Sequence, residues 1–196
     1  SGQSPYTGLF LSGNGLLVLN NSIYINGGSN ASALYFANQM GSEIEIVNNI
    51  LHSVNGYCMD FGSYSIIPGN VIDYNDFYSS ANYMIKIASD SYVSLAACQE
   101  AHPEINVHSV SYDPLWDENM NVQSQYLRGI AQIRSEFDDD INRNLRGLSW
   151  DIGAEQQFGP NSLDPLSGVY SVGSPESDYL TVADCQRCKR RRGDQG

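Results

Sequence analysis

A short pattern recurs at nearly constant spacing along the first half of the chain. It runs apolar, exposed, apolar, small, as in Leu34-Tyr35-Phe36-Ala37 and Met59-Asp60-Phe61-Gly62. Its third positions are spaced by 25, 25 and 26 residues, at Leu11, Phe36, Phe61 and Ile87. A period of this size is typical of solenoids, in which each repeat buries its apolar face only against its neighbours. The spacing therefore predicts stacked coils of about 25 residues.

A second repeat is aligned on asparagine. Asn21, Asn49 and Asn75 recur at intervals of 28 and 26 residues. Asparagine tolerates the left-handed backbone conformation, so each of these residues is expected at a sharp bend between two strands. In stacked coils the three side chains would hydrogen-bond to one another as an internal ladder. We interpret the ladder as structural, with a ligand-binding role as the alternative.

The coil length decides how the strands pair. The segments between the bends are rich in Ile, Val, Leu, Phe and Tyr, as strands are. A coil of about 25 residues has no room for crossover helices, which excludes a doubly wound sheet. Similar coils stack strand upon strand, so the sheets are expected to be parallel. The predicted fold is all-β, a parallel β-helix.

Particular residues resemble a known group of proteins. The turns at Asn20-Asn21 and Asn48-Asn49 resemble those of the right-handed parallel β-helix proteins related to pectate lyases. A short predicted helix at 94–100, followed by Asp113-Pro114-Leu115-Trp116, is similar to the closing region of bacterial surface β-helix proteins. The likeness covers roughly residues 8 to 158. It implies a right-handed β-solenoid with a short helix and an irregular C-terminal cap.

The end of this region carries the most specific resemblance. The segments 140–146 and Asp151-Ile152-Gly153-Ala154-Glu155 resemble the terminal D-x-D-G-x-x-R … D-I-G-A-x-E signature of those proteins. Two positions depart from it, because Asn142 replaces the second Asp and Arg143 the usual Gly. Charge-assisted bonds from this signature are expected to tie down the end of the domain. The residues expected to make them are Arg146, Asp151 and Glu155.

The chain is predicted to divide into three parts. Residues 1–90 form coils, residues 91–158 form a terminal coil and cap of the same domain, and residues 159–196 form a linker, the start of a further module and a basic tail. Nothing before Gly8 would cover the first strand edges, so neighbouring coils of a longer parent chain are expected upstream. Cys185 and Cys188 lack a second pair of zinc ligands, and we interpret them as part of a truncated tail.

The amino-acid composition limits the classes of binding partner. The net charge of -12 and the pI near 4.4 argue against nucleic acid and anionic membranes. No apolar window of about 18 residues is present, so membrane insertion is not expected. Together with the resemblance, this predicts a secreted or cell-surface bacterial protein whose partner is a polysaccharide or cell-surface glycan.

Exposed rings suggest binding without turnover. Phe10 and Tyr35 occupy the exposed position of the first repeat, and Tyr24, His52 and Tyr78 share one position of the second. Rings one rung apart, about 4.8 Å, form a ladder on which sugar faces can stack. The competing interpretation is that these rings pack under loops. The predicted function is a non-catalytic glycan-binding or structural, adhesive module.

A carbohydrate-active enzyme is the alternative. The resemblance implies polyuronate lyases, in which carboxylates hold calcium and an Arg or Lys acts as base. The acidic candidates are Asp60, Asp73 and Asp76. Lys86 is the single cation before Arg128, and its place in the repeat predicts a cross-strand ion pair with Asp60. Glycoside hydrolysis instead needs two carboxylates about 5 to 10 Å apart, which the spacing permits.

One acidic run suggests a metal site. Asp138, Asp140 and Asn142 match the first half of an EF-hand calcium loop. The match then fails, because Arg143 stands where Gly is required and Ser149 where the bidentate Glu belongs. A different oxygen-rich calcium site remains open, and no other cofactor is expected.

Overall fold

The computed structural model describes residues 6–37, 41–134, 136–147 and 149–156. This part of the chain consists mostly of strands in parallel sheets and contains one α-helix. The predicted linker, further module and basic tail at 159–196 lie outside the described residues. In chain order the elements are β1 (Thr7–Leu11), β2 (Leu17–Leu19), β3 (Ser22–Ile25), β4 (Ser32–Phe36), β5 (Glu45–Val47), β6 (Ile50–Ser53), β7 (Tyr57–Asp60), β8 (Val71–Asp73), β9 (Asp76–Ser79), β10 (Ile85–Ile87), β11 (Asp90–Tyr92) and α1 (Leu95–Ala101).

Successive strands from β1 to β9 belong to three sheets in turn. Sheet A has the order β1-β4-β7-β10-β11, sheet B has β2-β5-β8, and sheet C has β3-β6-β9. Each strand from β1 to β7 therefore pairs with the strand three elements later, as a repeating unit of three strands requires. The pairs between named strands are parallel, apart from β10 with β11, which is antiparallel. The prediction of parallel sheets is confirmed.

The core is formed by equivalent positions of successive repeats. In sheet A, Leu34 lies opposite Met59 and Met59 opposite Ile85, and all three are completely buried. The next apolar position stacks the rings of Phe36 and Phe61, whose centroids are 4.9 Å apart. Each such side chain stabilises the fold by about 1.5 to 3 kcal/mol through burial. A repeated apolar position is thus enough to set the register of the sheet.

The asparagine ladder is present as a chain of hydrogen bonds. Asn21 Nδ2 donates to Asn49 Oδ1 and Asn49 Nδ2 to Asn75 Oδ1, each at 2.9 Å. The backbone N–H groups of Asn21 and Asn49 donate to the same two oxygens at 3.0 Å. The predicted bend position is wrong by one residue, because the ladder residues need their side chains directed inward. The left-handed backbone conformation occurs instead at the residue before each ladder asparagine, that is at Asn20, Asn48 and Tyr74.

The C-terminal part begins with α1 and then covers sheet C. Ser94 caps α1 by accepting a hydrogen bond from the Ala97 N–H at 3.2 Å, and the predicted short helix is confirmed. Val110 forms a parallel bridge with Asp76 and so extends sheet C by one rung. Beyond it, a second apolar cluster packs on β6. Its buried members are Ile50, Val122, Leu127 and Ile152.

A buried arginine ties down the end of the described chain. Arg146 is 1% exposed and donates to the carbonyl oxygens of Asp139, Asp151, Gly153 and Ala154 at 2.9 to 3.2 Å. Asp151 accepts the Gly129 N–H at 2.8 Å, and Glu155 accepts from Asn142 Nδ2 at 3.2 Å. Burial lowers the pKa of the Arg146 guanidinium, and the nearby aspartates oppose that shift. The predicted tying role of this signature is confirmed.

Candidate functional site

One row of side chains crosses sheet A on its outer face. Phe10 lies opposite Tyr35, Tyr35 opposite Asp60, and Asp60 opposite Lys86. Their apolar neighbours point into the core, since successive residues of a strand face opposite sides. The four side chains are therefore aligned across four strands, one per rung, with two aromatic rings followed by a carboxylate and an ammonium group.

The aromatic half of the row is open to solvent. Phe10 is 66% exposed, and its ring centroid lies 5.7 Å from that of Tyr35 with an angle of 38° between the planes. These rings line a cleft of about 930 Å³. Tyr57 and Tyr64 contribute further rings to its wall. A cleft with several partly exposed rings offers flat apolar surfaces at which the C–H face of a sugar can pack.

The charged half of the row is an ion pair. Lys86 Nζ lies 3.8 Å from Asp60 Oδ1, and the same oxygen accepts the Gly62 N–H at 2.6 Å. The expected cross-strand pair is confirmed. Lys86 Nζ also lies 5.9 Å from the centre of the Tyr57 ring, within reach of a cation–π interaction. Both charges are thus compensated before any ligand is present.

Neutral polar groups complete the cleft. Among the described residues, its uncharged polar lining includes Thr7, Asn30, Ser32 and Ser63. Hydroxyl and amide groups both donate and accept hydrogen bonds, which matches the chemistry of sugar hydroxyls. Asn30 comes from a loop, and its participation was not apparent from the repeat pattern.

The second predicted row lies on sheet C, and its middle ring, His52, is covered, whereas Tyr24 is 37% exposed. The ring centroids of Tyr24 and His52, and of His52 and Tyr78, are 4.9 Å apart, but the planes are nearly perpendicular. His52 is 7% exposed, and Trp116 Nε1 donates to its Nδ1 at 2.8 Å. A sugar cannot stack on a ring buried in this way. The expectation of a glycan-stacking role is wrong for His52, because the C-terminal segment packs over it.

The hydrogen bond from Trp116 fixes the protonation of His52. An indole nitrogen only donates, so Nδ1 of His52 must be unprotonated and the ring neutral. Burial lowers the pKa of His52, while the negative charge of Asp113 raises it to a smaller extent. Tyr78 donates to Asp113 Oδ2 at 3.0 Å, which, with burial, raises the pKa of Tyr78. These aromatic groups form a structural cluster.

Two rings near this cluster were missed from the sequence. Tyr112 follows Val110 by two residues and stacks on Tyr126, with centroids 5.1 Å apart and planes 25° apart. Both rings are exposed, at 42% and 58%. Neither residue belongs to the 25-residue pattern, so periodicity carried no signal for them. Trp116 was visible in the aspartate-proline segment, but its contact with His52 was not.

The three acidic candidates are distributed over three sheets. Asp60 lies on β7 of sheet A, Asp73 on β8 of sheet B and Asp76 on β9 of sheet C. Asp73 accepts from the backbone N–H of His108, and its other oxygen lies 2.7 Å from His108 Nδ1. Asp60 is the single carboxylate among the described residues that line the cleft. The pair of carboxylates that the spacing permitted is therefore not found among the described residues that line this cleft.

Asp140, one of the predicted calcium residues, accepts hydrogen bonds from the backbone of its own loop and of Gln156. Asp140 Oδ1 accepts the backbone N–H groups of Asn142 and Asn144 at 2.8 and 2.7 Å, and its Oδ2 accepts that of Gln156 at 3.1 Å. In the described part of the chain no group of three or more His, Cys, Asp or Glu side chains would hold a metal ion. Asp140 thus acts as a structural cap of this loop, and a calcium site formed by Asp138, Asp140 and Asn142 stays a prediction.

The two described cysteines are buried thiols. Burial raises the pKa of Cys58 and raises that of Cys98 to about 11. A thiol that remains protonated is a poor nucleophile and a poor metal ligand. Within the described residues these groups act as small core side chains.

Comparison of the chain with protein-family models, with curated proteins and with solved structures found no match. None of the helices in the described ranges has both the length and the apolar character needed to cross a bilayer.

Proposed function

We propose that the chain is a right-handed parallel β-helix that binds glycans without turning them over, as a module of a secreted or cell-surface bacterial protein. The rotation of strands among three parallel sheets supports a solenoid, since equivalent positions of each repeat meet in register. The terminal signature clamped by Arg146 supports the resemblance to bacterial surface β-helix proteins.

The row Phe10–Tyr35–Asp60–Lys86 is the observation that carries the binding function. It places two solvent-accessible rings and a hydrogen-bonding ion pair side by side in one cleft. Carbohydrate recognition needs this combination, because a sugar presents an apolar face and a rim of hydroxyls. The rings would support the sugar face, and Asp60 and Lys86 would bond its hydroxyls.

The geometry favours binding over catalysis. The cleft offers one described carboxylate, Asp60, whereas glycoside hydrolysis needs two. A lyase needs a free base, and the Lys86 Nζ is paired with Asp60 Oδ1 at 3.8 Å. The alternative of a polysaccharide lyase or glycoside hydrolase therefore has less support at this site than a binding module.

Affinity electrophoresis against a panel of polysaccharides tests the proposal. Retardation by at least one glycan is expected, and Phe10→Ala and Tyr35→Ala should abolish it without lowering the melting temperature by more than a few degrees. Tyr83→Ala is the matched control, since Tyr83 is 47% exposed and lies outside the residues that line the cleft. Equal retardation of the variants and the wild type would refute this site. New reducing ends or unsaturated products in the same samples would instead establish an enzyme.

A further inference from the structure

Charge compensation in the cleft on sheet A indicates which glycans it accepts. Among the described residues that line it, Asp60 and Lys86 are the two charged ones, and they face each other across adjacent strands. We propose that the cleft selects an uncharged polysaccharide with flat apolar sugar faces and rejects acidic polysaccharides. This inference rests on the proposed glycan-binding function and specifies its ligand class.

The ion pair suits hydroxyl groups better than a carboxylate. Asp60 offers an acceptor and Lys86 a donor at neighbouring positions, so vicinal hydroxyls of one sugar can bond both and leave the pair intact. A uronate carboxylate would have to displace Asp60 from Lys86. It would then lie beside Asp60, which keeps its place through the Gly62 N–H, and the two like charges would repel.

The order of the row favours an extended chain that crosses the strands. Phe10, Tyr35, Asp60 and Lys86 follow one another at one rung each, about 4.8 Å apart. This spacing is comparable with the length of one pyranose unit, so successive sugars of a straight polymer would meet successive side chains. The rings would then support two sugars, and the ion pair would bond the hydroxyls of the next.

The charge of the whole protein acts in the same direction. The net charge of -12 produces a negative potential, which lowers the local concentration of polyanions and slows their association. A site that recruited an acidic polymer against this potential would need uncompensated cations. The cleft offers Lys86 alone among its described lining, and Asp60 already neutralises it.

Isothermal titration of the wild-type chain with uncharged and acidic hexasaccharides tests the selection. Cellohexaose, xylohexaose and mannohexaose are the uncharged probes, and hexagalacturonate is the acidic one, each at 150 mM salt. Binding of at least one uncharged probe, at least about tenfold tighter than hexagalacturonate, is expected. Tighter binding of hexagalacturonate would overturn the selection while leaving the glycan-binding function in place. Binding of no probe, together with no retardation in the polysaccharide panel, would overturn both.

Asp60→Asn tests the mechanism, because the amide oxygen can still accept the Gly62 N–H while the charge that holds Lys86 is gone. This variant is expected to gain about tenfold in affinity for hexagalacturonate. The double variant Asp60→Asn, Lys86→Gln should lose that gain, which assigns it to the released ammonium group. Absence of a gain in a folded Asp60→Asn variant, or its persistence in the double variant, would overturn the charge-compensation argument.

Discussion

The buried carboxyl group of Asp76 makes the stability of this fold depend on pH. Asp76 is completely buried between sheet C and the C-terminal segment, where its Oδ1 accepts the Tyr112 N–H at 2.8 Å. Its Oδ2 has no hydrogen-bond partner among the residues that the structure describes. Burial raises the pKa of Asp76 to about 8, and the charge of Asp113 adds to the effect. The group is therefore mostly protonated at neutral pH.

The sign and size of the effect follow from linkage. The pKa rises from 3.8 to about 8 on folding, so the folded state binds more protons than the unfolded state between these values. This contribution is fully present below about pH 4 and is lost as the pH rises toward 8. Its slope is about 1.4 kcal/mol per pH unit, which gives a loss of about 4 kcal/mol between pH 4 and pH 7.

Asp76→Asn removes this titration and keeps an acceptor for the Tyr112 N–H. Urea unfolding at pH 5, 6, 7 and 8 gives the free energy of unfolding of variant and wild type at each pH. The difference, variant minus wild type, should rise by about 1.4 kcal/mol per pH unit from pH 5 to pH 7 and by less from pH 7 to pH 8, where Asp76 begins to ionise in the folded state. Asp90→Asn, at an exposed position of β11, is the control and should give a constant difference. Parallel curves for Asp76→Asn and wild type would refute the reasoning.

Four further changes test other parts of the structure. Asn49→Ala breaks the ladder at its central member and should lower the free energy of unfolding by about 3 kcal/mol in urea titrations; a loss below about 1 kcal/mol would contradict a structural ladder. Arg146→Met removes one donor from each of four carbonyl groups, of which that of Ala154 keeps the Ile141 N–H at 3.0 Å. A loss of about 4 kcal/mol in the free energy of unfolding is expected by the same measurement. Arg143→Gly should raise stability by about 1 kcal/mol, since Arg143 has a φ of 64°, and a decrease would show that its side chain makes a compensating contact. With His52 present, the fluorescence of Trp116 is expected to change as the pH falls below 6.5, and His52→Gln should abolish this change. Both proteins are measured with the other tryptophan replaced, so that Trp116 is the only emitting indole. Protonation of wild-type His52 removes the acceptor for the indole N–H. The stability that this hydrogen bond contributes is therefore present above pH 6.5 and is lost as the pH falls through the lowered pKa of His52. A fluorescence transition that persists in the variant would contradict this.

The repeat pattern predicted those parts of the fold that depend on local periodicity. A residue such as Leu34 has an equivalent in each repeat, and burial of equivalent residues against one another sets the register without further information. The Asp60–Lys86 pair followed from this register alone. The ladder of Asn21, Asn49 and Asn75 did too, although its backbone conformation did not. The left-handed residue precedes each ladder asparagine, and spacing cannot distinguish adjacent positions.

The C-terminal segment could not be placed in this way, because it does not repeat. Trp116 reaches His52 over 64 residues of sequence, and Arg143 forms a tight turn at a position where glycine was expected. The contacts of Trp116 changed His52 from a candidate ligand-binding residue into a buried structural one. The repeat therefore predicts how far apart the aromatic rings of a row lie. Whether these rings are exposed to solvent depends on segments of the chain that lie outside the repeat.

The same distinction explains why one of the two aromatic rows is available to a ligand. On sheet A the described chain leaves Phe10 exposed and Tyr35 partly exposed, and the row ends in the ion pair of Asp60 and Lys86. On sheet C the segment around Trp116 packs across the row, and Asp76 becomes buried beneath it. The segment that covers sheet C buries apolar side chains, but it also buries the carboxyl group of Asp76, which must then be protonated. The packing of the C-terminal segment on sheet C and the pH dependence of Asp76 thus have one structural cause, so removing that segment should return the pKa of Asp76 toward 3.8.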